Sequence, residues 1–415
     1  VTLAVPLSAG DQVAYTGYYA TEVTDFYSKA DADARFVRYD DTQGLSGEQQ
    51  AQARANINAA DADVLTDFYT KADADARFVR HDGEQSLTPA QKGQARANID
   101  AGIIAGFRNK IINGNFDIWQ RGTSQSGLGY GSADRWQVNS LAASGAILVS
   151  RQEFDLGQTA VPGNPRYYLR IAGSSFSSTE LNLTQAIEGV RTLAGRKATL
   201  TFWARASAPR QLYPSLVQVF GLGGSPSSPV STLGDPVNLT TSWQRFSQVF
   251  DLPSIAGKVL GTDGNDFLSV TLDVKRGEVG TDLGDDTIDL ARVSLVEGDA
   301  TAEDDPFSPR HIQQELALCQ RYCRDVNELT CAGYSTTIAI GVVDMSANPM
   351  RGAPSVSLIT AGNLVGNGGD FAVTSIAQVA ASAIAARFDL NVSSGLTASA
   401  SYNWRAGRIR LESEL

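Results

Sequence analysis

The sequence predicts a mainly β protein. An N-terminal α-helical stalk of trimeric repeats comes first, then an antiparallel jelly-roll β-sandwich, then a small C-terminal β tip domain. Three observations carry this reading. FYSKADADARFVR at Phe26 returns as FYTKADADARFVR at Phe68. From Gly102 to about Glu297, short alternating runs are separated by clusters of Gly, Pro, Ser and Asp. From Thr330 the chain turns to strand-like runs rich in Ala, Ser and Thr.

The repeat is justified first. Asp25 and Asp67, Arg54 and Arg96, and Ile57 and Ile99 are all 42 residues apart, so the copies run without a slip. A period of that length marks a structural array. Within each copy, DFYSKADADARFVR reads as a helix with Phe26, Ala30 and Val37 on one face. Phe68, Ala72 and Val79 repeat the pattern. A second helix opens at Thr88, with Pro89 in the first turn and Gln91 closing a capping box; Ser46 and Gln49 do the same in the first copy. Leu45, Ile57, Leu87 and Ile99 complete the apolar stripe. So thin a stripe, mostly alanine, does not offset its ordering entropy alone. Three copies of the chain around one axis would supply the missing surface; a solvated linker is the other reading.

In the middle, KATLTFWARA, QLYPSLVQVF, SWQRFSQVFDLP, DFLSVTLDV and TIDLARVSLVEG read as strands, and GLGGSPSSP and GTDGND as turns. Many short strands with this punctuation point to an antiparallel sandwich, of jelly-roll type. PRHIQQELALCQRYCRDV reads as a helix placing Ile312, Leu316, Cys319 and Cys323 on one face. CAGYSTTIAIGVV, APSVSLITA and LTASASYNW are strand-like, and two or three paired strands of this kind make a modest core.

Composition limits function. Net charge is −11 with pI about 4.8, which disfavours nucleic acid and anionic membrane surfaces as partners. No run of about 18 apolar residues is present, so no membrane insertion is expected. VTLAVPLSAGDQ lacks the charged start and long apolar core of a signal peptide. The cysteines are three, Cys319, Cys323 and Cys331, which is not a disulfide framework. Buried free thiols are one reading; a cross-link between neighbouring chains through Cys319 and Cys323 is the other. The two histidines, His81 and His311, give poor support to a Ser-His-Asp triad. No metal-ligand cluster, phosphate loop or dinucleotide fingerprint appears, so neither cofactor nor metal is expected and the chain is read as no enzyme. GTDGND could hold calcium or form a plain turn. TDLGDDTIDL and EGDATAEDD keep a carboxylate-pair hydrolase open as a lesser alternative.

Trp119 and Trp136, beside Arg121, Asp134 and Arg135, are either glycan-stacking platforms or core, and Asp134 with Arg135 reads as an ion pair. Trp203 and Trp243 read as core. In the tip, Tyr334, Tyr402, Trp404 and Arg405 are the binding candidates, with Trp404 alternatively capping the sheet.

NKIINGNFDIWQRG, ADRW, FWARA, SWQRFSQVFDLP, IDLARVSLVEGDAT and PFSPRHIQQELALCQRYC follow one another from about Asn109 to Cys323. In that order they resemble the jelly-roll module of bacteriophage tail fibres and related phage adhesion proteins. LTPAQKGQARANIDA is similar to segments of fibre shafts. NPMRGAPSVSL and YNWRAGRIRLESEL resemble the opening and closing segments of fibre tips. The resemblance implies a homotrimeric virion fibre or spike with a carbohydrate-binding-like sandwich, made in the host bacterial cytoplasm. The expected organisation is a virion-docking segment over 1–20, stalk repeats over 21–102, sandwich over 103–300, a connecting helix over 301–329 and a β tip over 330–415. The implied partners are other chains of the fibre, tail, collar or baseplate proteins at the N-terminus, and a host surface glycan. A collar or neck fibre that never meets a receptor is the structural alternative.

Overall fold

The computed structural model describes residues 44–56, 87–88, 91, 94–95, 108–301, 303 and 305–415. The chain divides into two units, Val1–Ser86 and Leu87–Leu415. In the first, helix α1 spans Gly47–Asn56. Its start is the predicted capping box. Gln49 N donates to Ser46 Oγ at 3.3 Å, and Ser46 N donates to Gln49 Oε1 at 2.9 Å. The same exchange recurs in the second unit between Thr88 and Gln91, at 3.2 and 2.9 Å. Leu45 and Leu87 are half-buried. The 1–20 segment and Phe26, Ala30, Val37, Ile57, Phe68, Ala72, Val79 and Ile99 lie outside the described residues.

The second unit is mainly β. Its strands are β1 Ser124–Ser126, β2 Gln137–Leu141, β3 Ser144–Glu153, β4 Tyr167–Ser177, β5 Glu180–Glu188, β6 Lys197–Ala206 and β7 Arg210–Val219. Next come β8 Val230–Leu233, β9 Val237–Leu239, β10 Gln244–Asp251, β11 Phe267–Arg276, β12 Val279–Gly280 and β13 Thr287–Glu297. They form two antiparallel sheets packed as a sandwich. One has the order β1-β3-β4-β13-β6-β10; the other has β2-β5-β11-β7-β8, with β12 on β11 and β9 on β7. Alternation decides what faces inward. On β6, Leu200, Phe202 and Ala204 enter the core with Leu290, Leu295, Val270 and Leu216, while Thr201, Trp203 and Arg205 point out.

Helix α2 spans Ile312–Gln320, and His311 is its N-cap, its Nδ1 accepting from Gln313 N at 3.3 Å. The helix is shorter than the pattern suggested. Cys323 already opens strand β14, Cys323–Gly333, so Cys319 and Cys323 do not share a helical face. The reason is tertiary: β14 pairs along nearly its whole length with the last strand.

The remaining strands are β15 Ile338–Asp344, β16 Ser355–Thr360, β17 Asn363–Gly366, β18 Gly369–Ser382, β19 Ala385–Val392 and β20 Ser401–Glu412. Strands β14-β15-β19-β18-β17-β20 pair in turn, and β14 with β20 closes the ring; β16 adds to β20 outside it. The C-terminal part is thus a closed six-stranded barrel rather than a few paired strands. Closure removes the open edges that a small sheet would leave. On β20, Tyr402 and Trp404 face inward, then Ala406 takes a left-handed φ of 54° and the inward set becomes Gly407, Ile409 and Leu411. This register shift lets one strand serve β17 along its first half and β16 along its second.

Sandwich and barrel are locked by buried polar contacts. Arg121 donates to Glu412 and Glu414, both at 2.8 Å, and Arg135 pairs with Glu414. Arg135 also lies over the Tyr322 ring, 3.3 Å from its centroid. The expected Asp134–Arg135 pair is not the one formed. Asp134 instead accepts from Gln120 N at 2.9 Å and lies 4.0 Å from Arg121.

Candidate functional site

The candidate site is the outer face of the β2-β5-β11-β7-β8 sheet. Val138, Leu181, Leu183, Leu268, Val270, Leu272 and Leu216 take the inner face. Period-two alternation therefore turns Asn139, Asn182, Thr184, Thr271, Asp273, Tyr213 and Ser215 outward. Register brings them into two rows. Asn139, Asn182, Asp273 and Tyr213 are successive cross-strand partners, and so are Gln137, Thr184, Thr271 and Ser215. Neighbouring strands lie about 4.8 Å apart, so each row offers a polar group at that repeat.

On this face the central strands are the more buried. Ser215, Asp273 and Thr271, on the central strands, are 3%, 4% and 9% exposed although they point away from the core. Asn139, Asn182, Thr184 and Gln137, on the flanking strands, stay half-exposed. Asn139 Nδ2 donates to Thr184 Oγ1 at 3.1 Å and lies 3.3 Å from Asn182 Oδ1. Ser269 Oγ and Thr271 Oγ1 lie 3.2 Å apart, and Tyr213 Oη donates to Gln211 Oε1 at 2.8 Å. Arg276 Nη1 lies 3.5 Å from the Asp273 carboxylate. Burial pushes the Asp273 carboxyl up to about 6 against the opposing pull of Arg276 and a hydrogen bond from Asn182. Amides, hydroxyls and one carboxylate each keep donor or acceptor capacity beyond these bonds.

No protein-family model matches this chain, and no curated protein matches it. Solved structures do match. A family 22 xylan-binding domain from Paenibacillus barcinonensis is 12% identical, with a TM-score of 0.28 over 46% of this chain and 99% of that one. The N-terminal cellulose-binding domain of Cellulomonas fimi β-1,4-glucanase C is 15% identical, with a TM-score of 0.26 over 40% of this chain and 89% of that one. The enzymatically active domain of bacteriophage CBA120 tailspike protein 4 is 13% identical, with a TM-score of 0.28 over 46% of this chain and 21% of the tailspike chain. These similarities are distant.

The candidates read from sequence are placed differently from the groove. Trp136 is 1% exposed, its Nε1 donating to Asn113 O at 3.0 Å and its ring 5.4 Å from Phe116. Trp119 is half-buried against the sandwich core, its Nε1 donating to Phe116 O. Tyr402 and Trp404, expected on the surface, are barrel core. Tyr402 Oη accepts from Thr397 N at 2.7 Å, and Trp404, 0% exposed, donates to Ala361 O at 2.6 Å. The physical reason is that β20 alternates, so Ser401, Asn403 and Arg405 take the outside. Arg405 is exposed and Tyr334 is 65% exposed, but Tyr334 lies past the end of β14 while Arg405 sits opposite Asn363. Trp136, Tyr402 and Trp404 are therefore closed to a ligand.

Trp203 and Trp243 are outside the main core. With Phe154, Tyr168 and Val161 they form a satellite cluster on the outer face of the other sheet. Arg205 lies 4.9 Å above the Trp243 ring, and Asp289 ties Arg205 to Arg170 at 2.9 and 2.6 Å. GTDGND is a turn. Asp263 Oδ1 accepts from Leu222 N at 2.9 Å and from Asn265 N at 3.1 Å. Among the described residues no group of three His, Cys, Asp or Glu could hold a metal ion. The acidic run TDLGDDTIDL is engaged in bonds: Asp282 with Lys275, Asp286 with Arg210, Asp285 with Ser175 N.

The outward residues of the groove escaped sequence reasoning, which looked for aromatics. Their signal was the alternation in QVNSL, ELNLTQ and SVTLDV, where Asn, Thr and Asp sit between Val and Leu.

Proposed function

We propose that this chain is a glycan-binding subunit of a bacteriophage fibre or spike, holding a neutral saccharide along the polar groove of the second sheet. The observation that carries the reading is the register Asn139–Asn182–Asp273–Tyr213, which lines up four polar side chains on one face. The ordered sequence blocks that resemble phage adhesion modules support the virion setting. In this reading the sandwich is of jelly-roll type and the helical repeats bundle three chains into a stalk. The N-terminus docks on tail, collar or baseplate proteins, and binding proceeds without catalysis. Three weak sites held together raise avidity beyond any one of them.

The test is calorimetric titration of the full chain with a panel of neutral hexasaccharides: cello-, xylo-, manno- and galacto-linked. At least one should bind, and Asn182→Ala should weaken it about tenfold, or about 1.4 kcal/mol, at unchanged melting temperature. Binding that ignores Asn182→Ala would overturn the groove as the site. Failure of the whole panel would leave the structural reading, a collar or neck fibre. A solution mass of one chain would overturn the trimer, and released reducing sugar would overturn binding without catalysis.

A further inference from the structure

On β5 the outward positions continue from Asn182 through Thr184 and Ala186 to Glu188, whose cross-strand partner is Phe267. That is six residue steps, or about 20 Å of strand. At Glu188 the sandwich meets the segments that lead into the barrel, and there a cavity of about 530 Å³ opens, lined by Glu188, Asp263, Asn265, Arg321, Arg351 and Gly352 among others. Its volume lies within the usual range for small-molecule sites, which favour junctions between structural layers.

The lining is charged on both signs and held in place. Arg321 grips Glu188 through two bonds of 2.9 Å. Arg351 donates to Asn265 Oδ1 and lies 3.4 Å from Gly264 O, and its backbone N–H is bonded to Arg321 O at 2.7 Å. Asp263 is fixed by the backbone amides of Leu222 and Asn265. Guanidinium groups give donors in a planar fork, and carboxylates give acceptors on two oxygens. Vicinal hydroxyls of a pyranose, each both donor and acceptor, match that pairing. A lone anion would be repelled by Glu188, Asp263 and Asp266, and a lone cation by the two arginines. The arginines come from the α2–β14 and β15–β16 connections.

We propose that this crevice is the terminal subsite of the groove and reads the end sugar of the bound chain through its vicinal hydroxyls. The proposal rests on the glycan-binding reading for its ligand, but its residues are separate from the groove floor.

Gly352 supplies a clean test. A side chain added there would meet only Ser413 Oγ, at 3.4 Å, an ordinary contact. Gly352→Trp is therefore chosen to crowd the crevice, with its melting temperature compared with the parent's. The full chain and this variant are titrated with the same hexasaccharide panel and with the methyl glycosides of glucose, xylose, mannose and galactose. The expected result is a tenfold or larger loss for the hexasaccharide in Gly352→Trp, together with the loss in Asn182→Ala. A hexasaccharide that binds Gly352→Trp as it binds the parent, yet is weakened by Asn182→Ala, overturns the terminal subsite and leaves the groove standing. Methyl glycoside binding lost in Gly352→Trp but untouched by Asn182→Ala keeps the crevice as a site and overturns its continuity with the groove. If Gly352→Trp does not fold, glycine-selective ¹⁵N labelling of the parent decides. Saccharide should shift the Gly189, Gly264 and Gly352 amides, and unmoved signals at saturation overturn the proposal.

Discussion

Arg121 donates through Nη2 to the Glu414 carboxylate at 2.8 Å, and both side chains are shielded from solvent. Their positions are nearly three hundred residues apart, so this bond joins the opening segment of the sandwich to the segment after the last barrel strand. Arg135 shares the same carboxylate, and Arg121 also holds Glu412. Removing Glu414 leaves two buried guanidinium groups short of a partner. Glu414→Ala should therefore lower stability by about 3–5 kcal/mol, measured by urea unfolding. A loss below about 1 kcal/mol in this variant would show that the junction does not depend on this pair.

Asp273 gives the groove a pH signature. Its carboxyl is pushed up to about 6, by burial first, whereas the unfolded value is about 3.9. Between those values the native chain keeps a proton that the unfolded chain has lost. Stability is thus fullest below about pH 4 and falls as pH rises towards 6. Asp273→Asn should remove this slope and be the more stable protein at pH 7. The gain should be roughly 1–2 kcal/mol once solvent screening at an open face is allowed for. Chemical denaturation from pH 4 to 8 on both proteins checks this. Equal slopes would mean that Asp273 is not the titrating group.

The features set by local chemistry were legible in the sequence. The capping boxes at Ser46 and Thr88 need four residues each, and both formed. The KATLTFWARA alternation placed β6 and its inner face, because a half-buried strand needs only period two. What failed was long-range. Cys323 looked helical because its spacing from Cys319 fits a turn, yet pairing with Glu412 decided it. Tyr402 and Trp404 looked like surface hot spots because aromatic identity says nothing of direction. Barrel closure by β14 on β20, and hence their inward position, depends on partners about eighty residues away. The groove was hidden for the same reason. Asn139, Asn182, Asp273 and Tyr213 become neighbours only through the registers of four strands.

Gly407 sets the fit of the barrel core. A side chain there would overlap the Trp404 indole, which is pinned by its bond to Ala361 O at 2.6 Å. The ring has no room to retreat, since Tyr402, Leu364 and Phe388 pack the same core. Gly407→Ala should cost about 1–3 kcal/mol, while Ser401→Ala, on the outer face, should stay within about 0.5 kcal/mol. Thermal melts followed by circular dichroism compare the two. A Gly407→Ala protein as stable as the parent would mean that the indole leaves this position.

The cysteines make the last prediction. Cys319, Cys323 and Cys331 are free and buried. Burial pushes the Cys331 thiol up to about 11 and raises those of Cys319 and Cys323 as well. A thiol at such values offers little thiolate at pH 8, and thiolate is the reactive form. Access is blocked as well, because Cys319 lies on α2 under the sandwich–barrel junction and Cys331 is in the barrel core. The native protein should therefore react with a thiol reagent only as fast as it opens, and urea should expose all three groups. Gels run without reductant should show the single-chain band. A cross-link between neighbouring chains, the alternative reading of these cysteines, would need Cys319 or Cys323 at the surface. Rapid native labelling of either, or a reductant-sensitive band of higher mass, would restore it.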